Sequence, residues 1–266
     1  LSIGRGYDTA RHIRPFATSD WVDQPSSDWG KQMPTIRLDG DTINFDYKHI
    51  DTNGDGIINS ADTTAIILNY NQTTSIDNFT TTGGSAIGGG GRGGGVPVFV
   101  EFEQDSISPG DTVAFNVHLG ESVPLDSVYG YAMVMSFDTS IIEAIINIDF
   151  DTSWLGNNLN SIHLSHFPEP GVLAAAQVRI DHRDTSGFGP VFRVTSIIKE
   201  DIIDMPVCEE NDSIVVTCID APLYFDTVLL IKHDGEMLPP QPRNDSVFIS
   251  DTTVLINGIS GFDKTA

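Results

Sequence analysis

Nine of the thirteen residues from Gly83 to Gly95 are glycine, and that run decides how the remainder can fold. Glycine loses more backbone freedom on ordering than any other residue and brings no side chain to bury. No packed core threads through such a stretch, which as a flexible coil spans ~20 Å on average. A chain of 266 residues is long enough for two cores. It is therefore expected to divide into a module over 1–82, a linker over 83–96, a second module over 97–257 and a tail over 258–266.

Beyond the linker the apolar pattern has period two. Val98-Phe99-Val100-Glu101-Phe102 reads as a strand, Pro109-Gly110-Asp111 as a turn, and Thr112 to Leu119 as a half-buried strand. Tyr129 to Phe137 continues the alternation, and further strands are expected at 172–182, 190–199, 213–219, 225–232, 246–249 and 253–257. Many short strands separated by turn residues point to a mainly β fold, a sandwich of two sheets. Cys208 and Cys218 are the only cysteines. They flank a turn and a run of strand formers, and a disulfide is expected between them rather than two free thiols.

Ahead of the linker, 1–44 is polar and reads as irregular, with Phe16, Trp21 and Trp29 anchoring it to the remainder of the first module. Helix signal begins after a twelve-residue loop, Asp51-Thr52-Asn53-Gly54-Asp55-Gly56-Ile57-Ile58-Asn59-Ser60-Ala61-Asp62. Oxygen side chains fall at its positions 1, 3, 5, 9 and 12, and glycine at position 6, where the backbone must turn sharply. Ca²⁺ takes six to eight oxygens, and this spacing wraps them around one point. The expected ligands are Asp51, Asn53, Asp55, the Ile57 carbonyl, Asn59 and Asp62. The bland reading is an Asp/Asn/Gly-rich turn.

There are 14 Lys and Arg against 37 Asp and Glu, a net charge of −23, which repels a phosphate backbone and disfavours nucleic-acid binding. No apolar run is long enough for a membrane-spanning helix. Leu1 is followed by no charged-then-apolar leader, so a signal peptide is expected to have been removed, or the chain to begin inside a longer one. The acidity suits an extracellular or cell-surface setting. No Gly-x-Ser-x-Gly elbow, phosphate loop or His-Glu-x-x-His occurs. His163 and His166 fall in an expected loop without a third ligand, and Asp181-His182-Arg183-Asp184 reads as an exposed strand end. A non-enzyme is expected.

Two stretches resemble known families. Ser108 to Val113 with Tyr129 to Ala144, and Gly189 to Thr195, resemble the opening and a later strand of cohesin domains. The resemblance covers roughly 97–257 and implies a jelly-roll or Ig-like sandwich; 150–170 and 200–224 have no counterpart and read as loops. The calcium loop, with Asp62 in place of the glutamate of EF-hands, and its following helix to Tyr70 resemble a dockerin module. Dockerins carry two loops where this chain shows one; Leu1 to Tyr7 is expected to be the tail of a helix following an absent first loop.

The resemblance implies non-covalent assembly, since dockerin-like modules dock onto cohesin-like sandwiches. Both on one chain imply a head-to-tail, calcium-dependent fibre or surface layer, with copies of itself or other cohesin- and dockerin-bearing surface proteins as partners. Strand completion by Leu1-Ser2-Ile3 or by Thr252-Thr253-Val254-Leu255-Ile256 is a second expected joint. Glycans are expected at the Asn-x-Ser/Thr positions Asn71, Asn78, Asn211 and Asn244. A second pattern, Asp followed by Ser or Thr and then a small or apolar residue or Thr, resembles a bacterial O-glycosylation signal at Thr9, Thr42, Thr63, Ser106, Thr112, Ser127, Ser213, Thr227, Ser246 and Thr252. The same dipeptide is also a good strand-entry turn. The rival readings are a carbohydrate-binding or adhesion sandwich stacking sugars on Trp21, Trp29, Trp154 or Tyr129, and the docking end of a longer extracellular enzyme.

Overall fold

The computed structural model describes residues 1–20, 24–36, 42–69, 95–104, 107–203, 205–210 and 214–254. Residues 83–94 of the glycine run, Trp21, Asn71, Asn78, Ser106, Asn211, Ser213, Leu255 and Ile256 lie outside them. The fold is mainly β, a two-sheet sandwich with a small, partly helical module. Among the described residues no helix is long and apolar enough to cross a membrane.

The module comprises helix α1 (Ser2–Gly6), the hairpin β1 (Gln32–Ile36) and β2 (Thr42–Asp46), a 3-10 turn at Tyr47–His49, and helix α2 (Asp62–Leu68). The hairpin corrects the expectation that 1–44 is irregular: Met33 faces inward and is buried, but Pro34 and the polar neighbours hide the alternation. Ile3, Trp29, Met33, Tyr47, Ile50 and Ile58 form the module's core. Phe16 does not join it and is 98 % exposed.

One sandwich sheet contains β3 (Val96–Phe102), β4 (Thr112–Leu119), β7 (Ile142–Asp149), β11 (Gly189–Ile198) and β15 (Pro240–Pro242), in the order β15-β3-β4-β11-β7. All of its pairs are antiparallel except β15 with β3. The other contains β6 (Gly130–Phe137), β8 (Ser161–His166), β9 (Val172–Arg179), β12 (Val207–Glu210) and β13 (Ile214–Ile231), in the order β12-β13-β6-β9-β8. On β13 lie also β14 (Met237–Leu238) and β16 (Asp245–Val254), while β5 (Leu125–Val128) and β10 (Thr185–Gly187) form a separate ribbon. Val98, Val117, Leu119, Phe192 and Val194 from the first sheet meet Tyr131, Met133, Met135, Leu173 and Leu230 from the second. Each such side chain, fully buried, contributes about 1.5–3 kcal/mol relative to exposure.

Several elements depart from the strand pattern expected. The expected strands at 246–249 and 253–257 are one as far as Val254, β16, and 200–224, read as loops, holds β12 and the first part of β13. The two strands at 213–219 and 225–232 are one, β13, whose first part pairs with β16 and whose second pairs with β6. Pro222, which reads as a break, sits just before the β6 ladder begins and is paired with β16 only. Within 150–170, read as a loop, Ser161–His166 is strand β8. Its inward Ser161 is satisfied by Gln177 Nε2 and Asn157 O, while Ile162 and Leu164 point outward, an inverted pattern that conceals a strand. His163 therefore lies on a strand rather than in a loop, stacked on Phe150 at 4.4 Å. The edge strand β7 has no clean alternation.

Candidate metal centre and docking face

The loop after the 3-10 turn is organised around two carboxylates. Asp51 Oδ1 accepts from Gly54 N (2.7 Å) and its Oδ2 from Gly56 N (3.1 Å). Asp62 Oδ1 accepts from Thr52 N (2.7 Å) and Asn53 N (3.2 Å), and its Oδ2 from Asn59 N (2.8 Å). Asn59 Oδ1 in turn accepts from Ala61 N (2.7 Å), so Asn59 and Asp62 both fix the turn that leads into α2. Gly54 and Gly56 have φ of +75° and +86°, which side-chain-bearing residues adopt only under strain.

Asp51 is 3 % exposed and Asp62 is fully buried. Burial pushes both carboxyls above the usual range; backbone N–H donors pull back on each, and the Asp62 charge further raises Asp51. Among the described residues neither has a Lys, Arg or His at ion-pair distance. Two buried, like-charged carboxylates with fixed oxygens and no ion pair, Arg14 acting on Asp51 only from the loop carbonyls it binds, fit a hard divalent cation. The neutral donors available to it are Asn53 Oδ1, Asn59 Oδ1 and the Ile57 carbonyl. Asp55 is exposed, with Oδ1 bonded to Ile57 N and Oδ2 to Asn53 Nδ2; it would join through the latter oxygen. No three His, Cys, Asp or Glu side chains converge as a metal-holding group among the described residues, so the loop depends on its amide and carbonyl donors.

Residues 8–14 run alongside the loop. Asp8 N donates to Ile58 O, Ile58 N to Thr9 O, Arg11 N to Gly56 O and Arg14 N to Gly54 O, all at 2.9 Å. Arg14 Nη2 reaches the carbonyls of Asp51 and Thr52, also at 2.9 Å. This contact set has no sequence motif and was not foreseeable from the loop pattern.

The module rests on the outer face of the β8-β9-β6-β13 sheet. Register sets this face out in rows. The first is Ile162-Val178-Gly130-Ile231, the second Leu164-Ala176-Ala132-Leu229 and the third His166-Ala174-Val134-Thr227. The first row is covered: a Cβ on Gly4 of α1 would lie 2.5 Å from Val178 Cγ2, and Tyr129 Oη donates to Gly4 O at 3.0 Å. Arg5 adds bonds to the His233, Asp234 and Pro34 carbonyls. The second and third rows line an open, mostly apolar groove of about 220 Å³.

Cys208 and Cys218 are joined by a disulfide, with Cα atoms 5.9 Å apart. Of the sugar-stacking candidates, Trp29 and Tyr129 are buried, and Gly187 lies against the Trp154 ring, where a Cβ would stand 2.5 Å from Cε3. None of the three offers an open platform, because each is already packed. Neither strand-completion segment is a free strand: Ser2 and Ile3 lie in α1, and Thr252–Val254 pair with Ile214–Val216 of the same chain. Asn244 is exposed, its Oδ1 accepting from Phe225 N. Among the Asp-Ser/Thr hydroxyls whose side chains are described, Thr112, Thr227, Ser246 and Thr252 are exposed and Thr9, Thr63 and Ser127 are partly so. Thr112 opens β4, as the strand-entry reading has it. Asp181-His182-Arg183-Asp184 is exposed just past β9, with Asp181 paired to Arg179.

No protein-family model matches the chain, and no curated protein matches it. Solved structures do. A type I cohesin–dockerin complex from Clostridium thermocellum matches at 15 % identity and TM-score 0.47, over 58 % of this chain and 92 % of that one. A non-cellulosomal cohesin from the archaeon Archaeoglobus fulgidus matches at 13 % and 0.42, over 59 % and 91 %. The type II cohesin A11 of Bacteroides cellulosolvens matches at 16 % and 0.43, over 57 % and 99 %.

Proposed function

We propose that this chain is a non-catalytic, extracellular structural subunit that binds calcium and assembles head to tail with copies of itself. The observation that carries the reading is the open pair of rows on the outer sheet face, Leu164-Ala176-Ala132-Leu229 and His166-Ala174-Val134-Thr227. Small residues at its centre leave an apolar floor in a chain of net charge −23, and covering it with an apolar partner is favourable. The same chain supplies a matching occupant. Helix α2 exposes Ile67 and Leu68, and the segment tied to its end by the Asn69–Ser19 bond exposes Ile13 and Phe16. In this reading the α2 side of one copy seats on the groove of the next. That contact is heterologous and propagates unless the rotation closes a ring. Calcium at Asp51, Asn53, Asp55, Ile57, Asn59 and Asp62 sets the position of α2, because Asp62 is both ligand and first residue of the helix.

Electron microscopy and sedimentation of the purified chain test this directly. Particles are expected with calcium, and Ala176→Arg, which places a charge in the floor, is expected to leave folded monomers. Assembly unaffected by Ala176→Arg defeats the groove as the joint, and particles equally intact in EGTA defeat the calcium dependence.

We further propose glycans on the exposed Asp-Ser/Thr hydroxyls and at Asn244. Thr227 is excluded, since it lines the groove and a sugar there would block it. An intact mass near the unmodified 28.8 kDa for protein from its native source rules the glycans out.

A further inference from the structure

The metal loop and the covered end of the sheet face are joined by one short piece of chain. Residues 8–14 are bonded along the loop by four backbone hydrogen bonds and by the Arg14 guanidinium, whose two acceptors are loop carbonyls. Earlier in the same segment, α1 lies on the first row, with Gly4 against Val178 and its carbonyl held by Tyr129. Between them Gly6 is closely packed, a Cβ there falling 3.1 Å from Ile58 Cδ1 of the loop. Nothing in this path is slack: loop, strap and sheet face are in van der Waals or hydrogen-bond contact throughout.

We propose that residues 1–14 form a calcium-latched strap, in which cation binding by the loop holds α1 over the first row and so sets how much of the face a partner can reach. The inference rests on the loop being a cation site. Without the cation, the two buried carboxylates repel each other and the loop loses the geometry that presents Gly54 O, Gly56 O and Ile58 O to the strap. Release of the strap uncovers Ile162, Val178, Gly130 and Ile231, and the open apolar face grows from two rows to three. With the cation bound, the partner meets a face of fixed length bounded by α1. Calcium thus acts on the groove through the strap as well as through α2. Because loop and strap are linked, the coupling is reciprocal: whatever unseats α1 weakens the cation by the same factor.

The full chain is titrated with calcium by calorimetry, and its amide hydrogen exchange is followed in calcium and in EGTA. Calcium is expected to slow exchange at Asp8, Arg11 and Arg14 at least tenfold, while β4 and β11 exchange equally in both. Gly4→Val, which drives a methyl into Val178 without touching the loop, is expected to weaken calcium about tenfold. Tyr129→Phe, which removes one donor and leaves the packing, is expected to weaken it about threefold. Calcium binding with no change in exchange at 8–14, or Gly4→Val and Tyr129→Phe both binding calcium as the parent does, overturns the strap and leaves the cation site standing. Failure of the parent chain to bind calcium overturns both.

Discussion

The two halves of the molecule are held together by different means. The sandwich closes on a continuous apolar core to which both sheets contribute, including a dozen side chains from Val98 to Ile249 that are entirely inaccessible. The module's core cluster has six buried apolar residues, and Ile162, which belongs to the sandwich, packs against it. What the module lacks in apolar burial it makes up in polar order: Asp51, Asp62 and Asp46 between them accept eight backbone N–H groups. A fold with a small core leans on metals, disulfides or docking. Here the module rests on a hydrogen-bonded carboxylate loop and on its neighbour, whereas the sandwich closes on its own core.

That contrast can be broken from either side. The largest effect is expected from the sandwich core: Phe192→Ala should cost about 3–5 kcal/mol. Denaturant unfolding should then show the module lost together with the sandwich, since Ile162, Val178 and Tyr129 go with it. A module that survives Phe192→Ala folds on its own, and the contrast fails. Next comes Asp62→Ala, which removes the acceptor of three N–H groups. Leaving such buried donors unsatisfied costs about 1–3 kcal/mol for each lost partner, so the module should unfold at lower denaturant than the parent. The sandwich transition should stay within about 0.5 kcal/mol of the parent, as expected for a site remote from its core. Third, Cys208→Ser should cost about 2–3 kcal/mol on the chain-entropy account of a short closed loop, with increased exchange confined to β12 and the first part of β13.

The smallest expected effect sharpens the picture of polar order. Burial acts to raise the Asp46 carboxyl, but the N–H groups of Lys48, Trp29 and Gly30 outweigh it and hold the group below its ordinary value. Its folded pKa is thus lower than its unfolded one, so the stability it confers is complete above the unfolded value, about 3.9. That stability disappears as the pH falls through the lower folded value. Asp46→Asn, which cannot ionise, should flatten this acid limb of module unfolding by lowering the neutral plateau toward the acid value. An unaltered acid limb would show that another carboxylate governs it.

The mainly β fold and the strands on either side of the core were legible in the sequence because their inward residues are apolar and their outward ones polar. Legibility failed where chemistry is reversed. Strand β8 turns Ser161 in and Ile162 out, because the inner end is a hydrogen-bonded pocket around Gln177 and the outer face is a surface for packing. The β1–β2 hairpin is masked by Pro34 and by short apolar signal at Met33 and Phe45. In the candidate site, the oxygen-bearing loop positions could be read from spacing alone, since the pattern is local. The strap could not, because Asp8, Arg11 and Arg14 act mainly through backbone groups, which carry no residue signature. Nor does any pattern reveal that alternate residues on four separate strands fall into rows; only register places them so.

Strand β13 has a mechanical consequence. It is laced to β6 over Leu223–Ile231 and to β16 over Ile214–Leu223, so one covalent rod spans two ladders. Tension drawn along β16 from Val254 loads ten paired positions side by side, rather than opening them one after another as peeling would. The load then passes through the β13 backbone to the middle of the sheet, bypassing the edge strands. In a filament under pull, this chain would resist like a lap joint and not like a zip.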